Sequence, residues 1–363
     1  MRIFSYAACL VLACLLSLAP APAHAIETVA PDHEHLQYTG RIDFSDRRAP
    51  VLSWPGTSVA ATFTGTSLAI VLDDQHGKNY YNVFLDGDTE RPVILQLDKG
   101  KKSYLVANGL APGRHRVLLT KRTEGEEGAT VFLGLALDDK AGLAPPPERP
   151  GRRIEFFGDS ITSGMGNEAP DDGEDHHGKD KNNYRSYAAI AARQLGAEAH
   201  FTSQGGIGIM ISWFPFTMPD FYDQLSAVGN NDSRWDFARW TPDVVVVNLM
   251  QNDSWLIGRD RKLQPEPNAA QRIAAYQAFM ARVRSLYPKA YIVCALGSMD
   301  ATKAGSPWPG YVSTAVRNLQ ESGDRRIDTL FFPFTGYGKH PRVAQHQANA
   351  DLLTAFVRKR MGW

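Results

Sequence analysis

Hydrophobic and polar residues follow two different rhythms along this chain. From residue 36 to 138 they form short alternating runs: "SVAATFTGTSLAIVLDD", "NYYNVFLDGD", "PVILQLDKG", "SYLVANG", "HRVLLTKR" and "TVFLGLALDD". Gly, Asp and Asn turns part the runs, and no helical period intervenes. Many short strands at near-regular spacing predict an all-β sandwich or jelly roll. The stretch "AGLAPPPERPGRR", 141–153, is stiff and proline-rich and reads as a domain boundary.

From Arg153 onward, strands alternate with helices. "RIEFFGDS" and "AEAHFTSQGG" predict strands, and "YRSYAAIAARQLG" between them predicts a helix ending at Gly196. "DVVVVNLMQND" is apolar on both faces, as a central parallel strand requires. "NAAQRIAAYQAFMARVRSLYP" predicts a long helix; the strand "AYIVCALG", a helix near 309–322 and the strand "DTLFFPF" follow. "PRVAQHQANADLLTAFVRKR" is helical, with Pro341 suited to its first position. Such alternation predicts an α/β fold, a doubly wound parallel sheet sandwiched by helices.

Composition narrows the picture. The 363 residues are 43% hydrophobic and carry 39 basic and 39 acidic side chains. That length predicts roughly two domains of about 150 residues. A formal charge of zero offers no electrostatic reason to expect nucleic acid or an anionic membrane as partner.

Residues 1–25 differ in kind: Met1-Arg2 gives a basic start, "IFSYAACLVLACLLSLA" an apolar run, and "AHA" a small-x-small cleavage site. This predicts a cleavable signal peptide and a secreted or periplasmic location. No later stretch approaches about 18 consecutive apolar residues, so no membrane association is expected after cleavage. Cys9 and Cys14 leave with the leader, and Cys294, alone in an apolar run, reads as a small buried hydrophobe.

Chemistry gathers at one rim. In a doubly wound sheet, ligands bind beyond the carboxyl ends of the strands, near the topological switch point. Ser160 of "EFFGDSITSGMG" follows the first strand of the α/β part, "SQGGIG" and "NLMQND" end two others, and His340 precedes the last helix. Serine is a poor nucleophile without a base, and imidazole changes charge near neutral pH. The Ser160 amide, the Gly206 amide and the Asn252 side-chain NH₂ are donors suited to a developing oxyanion. The bland alternative is that Ser160 merely caps a helix.

The residues "GDSI" (158–161), "GGIG" (205–208), "QND" (251–253) and "KHP" (339–341), in this order, resemble the four blocks of the SGNH, or GDSL, hydrolases over residues 153–363. The β-rich front with "YTGRIDF" and "WPGTSV", fused to such a domain, is similar to carbohydrate esterase family 2, a jelly roll joined to an SGNH domain. Together with the leader and the proline-rich stretch read above, the resemblance implies a signal peptide at 1–25, a β-sandwich (jelly-roll) domain at 26–140, a linker at 141–152 and an SGNH hydrolase domain at 153–363. It implies removal of O-acetyl groups from acetylated polysaccharide or oligosaccharide of the acetylxylan or glucomannan type, without metal or organic cofactor. Ser160 matches the nucleophile, His340 the general base, and Gly206 and Asn252 the oxyanion donors beside the Ser160 amide; Asp159 matches a loop-holding residue.

Two departures stand out. Met250 occupies the place where the third block usually has glycine. Many relatives have an aspartate two or three residues before the histidine, but Gly338 and Tyr337 stand there. A Ser–His dyad is therefore expected, with a backbone carbonyl orienting the imidazole.

Other features leave alternatives open. The aromatics of "ISWFPF", Trp213 among them, and Trp255 either stack on sugar rings or complete the core. The polar stretch 167–183 reads as a solvated loop; a metal site from Asp171, Asp172, Asp175, His176 and His177 is the alternative, against which adjacent histidines lack fixed ligand geometry. His346 reads as a packing or surface residue. Competing functions are lipase-like or thioesterase hydrolysis, acetyl transfer to another sugar, and a glycan-binding protein that has lost activity. The front domain either binds glycan independently or packs against its neighbour and shapes the cleft.

Overall fold

The computed structural model describes residues 26–334 and 339–363; the expected signal peptide lies outside them. The front of the chain folds into two antiparallel sheets packed face to face. One has the strand order Ile42–Asp43, Val51–Leu52, Thr130–Asp138, Ser67–Asp74, Gly100–Asn108, with Ile26–Val29 also paired to Thr130–Asp138. The other runs Leu143–Ala144, Ser58–Thr64, Arg114–Lys121, Tyr80–Leu85, Val93–Gln96, with Gln37–Thr39 paired to Ser58–Thr64. The period-two pattern does what it predicts. In Ser58–Thr64 and Ser67–Asp74 every second residue is buried, and Val59, Phe63, Leu68, Ile70 and Leu72 meet between the sheets. Within the proline-rich connection, Leu143–Ala144 adds a short strand to the front sheet instead of tethering loosely.

The second part is a five-stranded parallel sheet in the order Ala197–Ser203, Arg152–Gly158, Val244–Asn248, Tyr291–Leu296, Ile327–Phe331. Val244–Asn248 is buried along its whole length, as its unbroken valine run requires. Helices Ala269–Leu286 and Trp308–Glu321 cover one face, and Tyr187–Gln194 and Val343–Met361 the other, each over its own apolar core. The last helix begins later than expected. Arg342 is its N-cap and Pro341 lies outside it, because the chain stays extended there after presenting His340. Among the described residues, no helix is long and apolar enough to cross a membrane.

Strand order fixes where a site can form. From Arg152–Gly158 the chain steps to one neighbour, Ala197–Ser203, and then crosses to the other, Val244–Asn248. The helices leaving these strands diverge to opposite faces and open a crevice at their carboxyl ends.

The two parts are joined by buried charge. Arg41, 1% exposed, reaches from the front into the α/β part, where it donates to Glu155 at 2.5 Å and to the carbonyls of Tyr222 and Gln224. Arg122 donates to Asn82, to the carbonyls of Lys179 and Lys181, and to Glu168.

Candidate active site

Ser160 stands at the switch point, first in the short helix Ser160–Ser163 that follows strand Arg152–Gly158. The helix is capped by its neighbour: the Asp159 carboxylate accepts the Ile161 N–H at 3.0 Å. The Ser160 hydroxyl is thus not the cap, and its Oγ lies 2.8 Å from His340 Nε2. Burial, reinforced by nearby Asp253 and Glu124, pushes the Asp159 carboxyl up to about 7.

His340 is held from its other side by a carboxylate. Its Nδ1 lies 3.0 Å from Asp175 Oδ2, and its backbone N–H donates to the same oxygen at 2.8 Å. The expectation of a Ser–His dyad is corrected here: a third group exists, 165 residues away in sequence, in the polar stretch 167–183. With the proton on Nδ1, His340 donates to Asp175 and can accept the serine proton at Nε2. Burial alone would raise the Asp175 carboxyl. The hydrogen bond and charge of His340, its backbone N–H and the Arg342 guanidinium outweigh burial and hold it below the ordinary carboxylate range.

The residues flanking His340 bind the loop that brings Asp175. Lys339 Nζ donates to the carbonyls of Asp172 and Gly173, both at 2.6 Å. Arg342 donates to the carbonyls of Pro170 at 2.9 Å and Gly166 at 3.0 Å. Gly166 has φ +58°, and a Cβ there would come within 2.1 Å of the Asp175 carbonyl oxygen, so the loop closes only over glycine.

The candidate oxyanion donors line the same cleft as the imidazole. Neither the Ser160 amide nor the Gly206 amide donates to another described residue. Gly206 has φ +84°, and a Cβ would press on Trp213 and Phe214 at 3.2 and 3.3 Å. Asn252 donates one side-chain hydrogen to the Ile207 carbonyl at 2.9 Å, which leaves its second free for a ligand. Trp213 Nε1 donates to Asn252 Oδ1 at 3.1 Å and so fixes which way the amide points. Asp253, next in the chain, accepts the Ile209 and Met210 amides and pins the loop that carries Gly206. Ser160, Gly206, Trp213, Asn252, Trp255 and His340 all line one cleft of about 530 Å³.

Comparison with known proteins agrees with this layout. Residues 38–147 match the carbohydrate esterase 2 N-terminal family, and 156–355 the GDSL-like lipase/acylhydrolase family. The solved family two carbohydrate esterase from Clostridium thermocellum, in complex with cellohexaose, is 33% identical with a TM-score of 0.81, over 90% of this chain and 99% of that one. The chain belongs to the family two carbohydrate esterases, a family of carboxylic ester hydrolases. It is 33% identical to cellulase/esterase CelE of Acetivibrio thermocellus over 93% of its own length, spanning 41% of that protein. An acetylxylan esterase / glucomannan deacetylase of Cellvibrio japonicus is 27% identical over 93% of this chain and 92% of its own.

Within the family two framework, Met250 now has a physical meaning. Its φ is +87°, the left-handed region where glycine costs nothing and methionine costs about 1–2 kcal/mol. Met250 is fully buried in the core beneath the site, which offsets that strain. Trp255 is half-buried: it packs against the core of the α/β part, donates to Asp300 at 2.7 Å and lines the cleft. Trp213 is 49% exposed, with Lys262 Nζ 4.3 Å from its ring centre. His346 is a packing residue, buried against Tyr187 and accepting its N–H at 3.0 Å. Of the residues weighed as metal ligands, Asp175 is turned to His340 and Asp171 and Asp172 are exposed. Glu174, His176 and His177 cluster within 4.8 Å, all exposed.

Proposed function

We propose that this chain is a secreted serine esterase that removes O-acetyl groups from carbohydrate of the acetylxylan or glucomannan type. The observation that carries the reading is the relay Ser160 Oγ, His340 Nε2, His340 Nδ1, Asp175 Oδ2, with links of 2.8 and 3.0 Å. His340 takes the hydroxyl proton as Ser160 Oγ attacks the acetyl carbonyl carbon. The oxyanion receives the Ser160 N–H, the Gly206 N–H and the Asn252 side chain. Protonated His340, its charge faced by Asp175, gives that proton to the departing sugar oxygen and leaves acetyl-Ser160. Water, deprotonated by His340, then attacks the acetyl group; acetate departs and Ser160 Oγ recovers its proton.

Aromatic rings at the cleft rim suit a sugar ring, and the related Clostridium thermocellum esterase binds cellohexaose. The names of the Cellvibrio relatives favour acetylxylan and glucomannan. Secretion is supported by the leader-like pattern of residues 1–25. A glycan-binding protein without activity rests on the want of a carboxylate near His340 and on Met250; the contact of Asp175 with His340 weighs against the first of these. Acetate release from acetylated xylan and acetylated glucomannan, alongside p-nitrophenyl esters of rising chain length, tests the reading. Release from either polysaccharide with preference for the acetyl ester supports it; activity confined to long-chain esters overturns it.

A further inference from the structure

Glu124 belongs to the front domain, yet it grips the loop that carries the proposed oxyanion amide. It lies just beyond strand Arg114–Lys121, 1% exposed, and its Oε2 accepts the Gly205 N–H at 2.5 Å. Two buried lysines hold this residue in place, Lys181 at its carboxylate and Lys121 at its backbone carbonyl. Lys181 Nζ donates to Glu124 Oε1 at 3.1 Å and to Glu127 Oε1 at 2.5 Å. Lys121 Nζ donates to the Glu124 and Thr123 carbonyls at 2.9 and 3.0 Å. Around Gly205 there is no slack: a Cβ would meet Met165 Cε at 2.6 Å and Glu124 Oε1 at 2.8 Å.

The Gly206 amide therefore sits between two carboxylate anchors, one from each domain. Asp253 holds Ile209 and Met210 on one side, and Glu124 holds Gly205 on the other. An oxyanion donor works only if it is aimed before charge develops, and a glycine pair has no side chain to fix its own peptide planes. We propose that Glu124 is a positioning residue, through which the front domain aims the Gly206 amide at the reacting carbonyl. The proposal rests on the esterase reading and on Gly206 as an oxyanion donor. It gives the fused β domain a part in the chemical step, beyond any contact with glycan.

The test uses the full chain and p-nitrophenyl acetate, so it does not depend on which carbohydrate is the substrate. Glu124→Gln is expected to lower kcat about 10- to 100-fold with KM unchanged, because the lost aim matters only in the transition state. Phosphorylation of Ser160 by an organophosphate, whose tetrahedral adduct fills the same oxyanion site, should slow in parallel. Glu127→Gln removes another carboxylate from the same lysine without touching Gly205, and should keep wild-type kcat. Should Glu124→Gln not fold, Glu124→Asp keeps the charge for Lys181 but is a methylene too short for Gly205. In the wild type, the Gly205 amide proton should resonate far downfield and resist exchange, which reads the anchor without any variant. An active wild type indifferent to loss of Glu124, or one in which Glu127→Gln costs as much, overturns this proposal alone. A wild type inactive on the ester sinks it together with the esterase reading.

Discussion

A single oxygen of Asp175 holds both the ring and the backbone of His340, with Nδ1 at 3.0 Å and the main-chain N–H at 2.8 Å. That double contact fixes the imidazole's rotation and its tautomer at once, and leaves Nε2 facing Ser160. The polar loop 167–183 and the extended segment before the last helix thus form one unit, although neither stands out alone.

If Asp175 selects the tautomer, its amide isostere is more harmful than its size suggests. Asp175→Asn is expected to lower kcat by about 10²–10⁴-fold with little change in KM. Steady-state kinetics on an acetyl ester decide it, and a variant within a few-fold of wild type would leave His340 working as the simpler dyad.

Trp213 has two separable roles, orienting Asn252 through its N–H and offering a face to the cleft. Trp213→Phe keeps a face and loses the hydrogen bond, so kcat on p-nitrophenyl acetate should fall about 10-fold. Trp213→Ala should, in addition, raise KM on acetylated polysaccharide. Equal rates for wild type and Trp213→Phe would show that the Asn252 amide is held without it.

His346 makes the fold acid-sensitive. Burial, helped by nearby His340, lowers its folded pKa to about 3, whereas an unfolded histidine titrates near about 6.5. The unfolded chain therefore binds the proton first. Stability is full above the unfolded value and falls as pH drops toward 3, by about 1–3 kcal/mol at about pH 4.5. His346→Gln should narrow the gap in denaturation midpoint between pH 7 and 4.5, and an unchanged gap would mean that other groups set the acid limb.

Arg41 and Glu155 pair across the two domains with almost no exposure. Removing one member strands a buried charge, and Arg41→Ala should cost about 3–5 kcal/mol in one cooperative transition. Denaturant unfolding checks this. Two separated transitions in the wild type would instead show domains that fold independently.

What could be read from the sequence follows from what is local. Alternation in "SVAATFT" and the unbroken valines of "DVVVVN" express burial on one face or two, so the sandwich and the central strand were legible. Ser160, Asn252 and His340 lie in segments that strand ends must deliver to one rim, and their residue types carry their chemistry. Asp175 was hidden because its partner is 165 residues distant and its loop has no periodicity; only its acid-rich composition, weighed as a metal site, marked it. Glu124 was invisible for a related reason: a turn glutamate in a β domain looks solvated until another domain buries it. Met250 was legible as a departure, while the reason glycine suits that place, a left-handed backbone, belongs to the fold.

The proposed reaction turns on an acetyl group carried on Ser160. Acid-quenching the enzyme during turnover of an acetyl ester, then mapping its peptides by mass spectrometry, measures this directly. Acetyl is expected on the peptide containing Ser160, with neither adduct nor acetate release in Ser160→Ala. Acetate released by Ser160→Ala at the wild-type rate, or acetyl on a different residue, would contradict it.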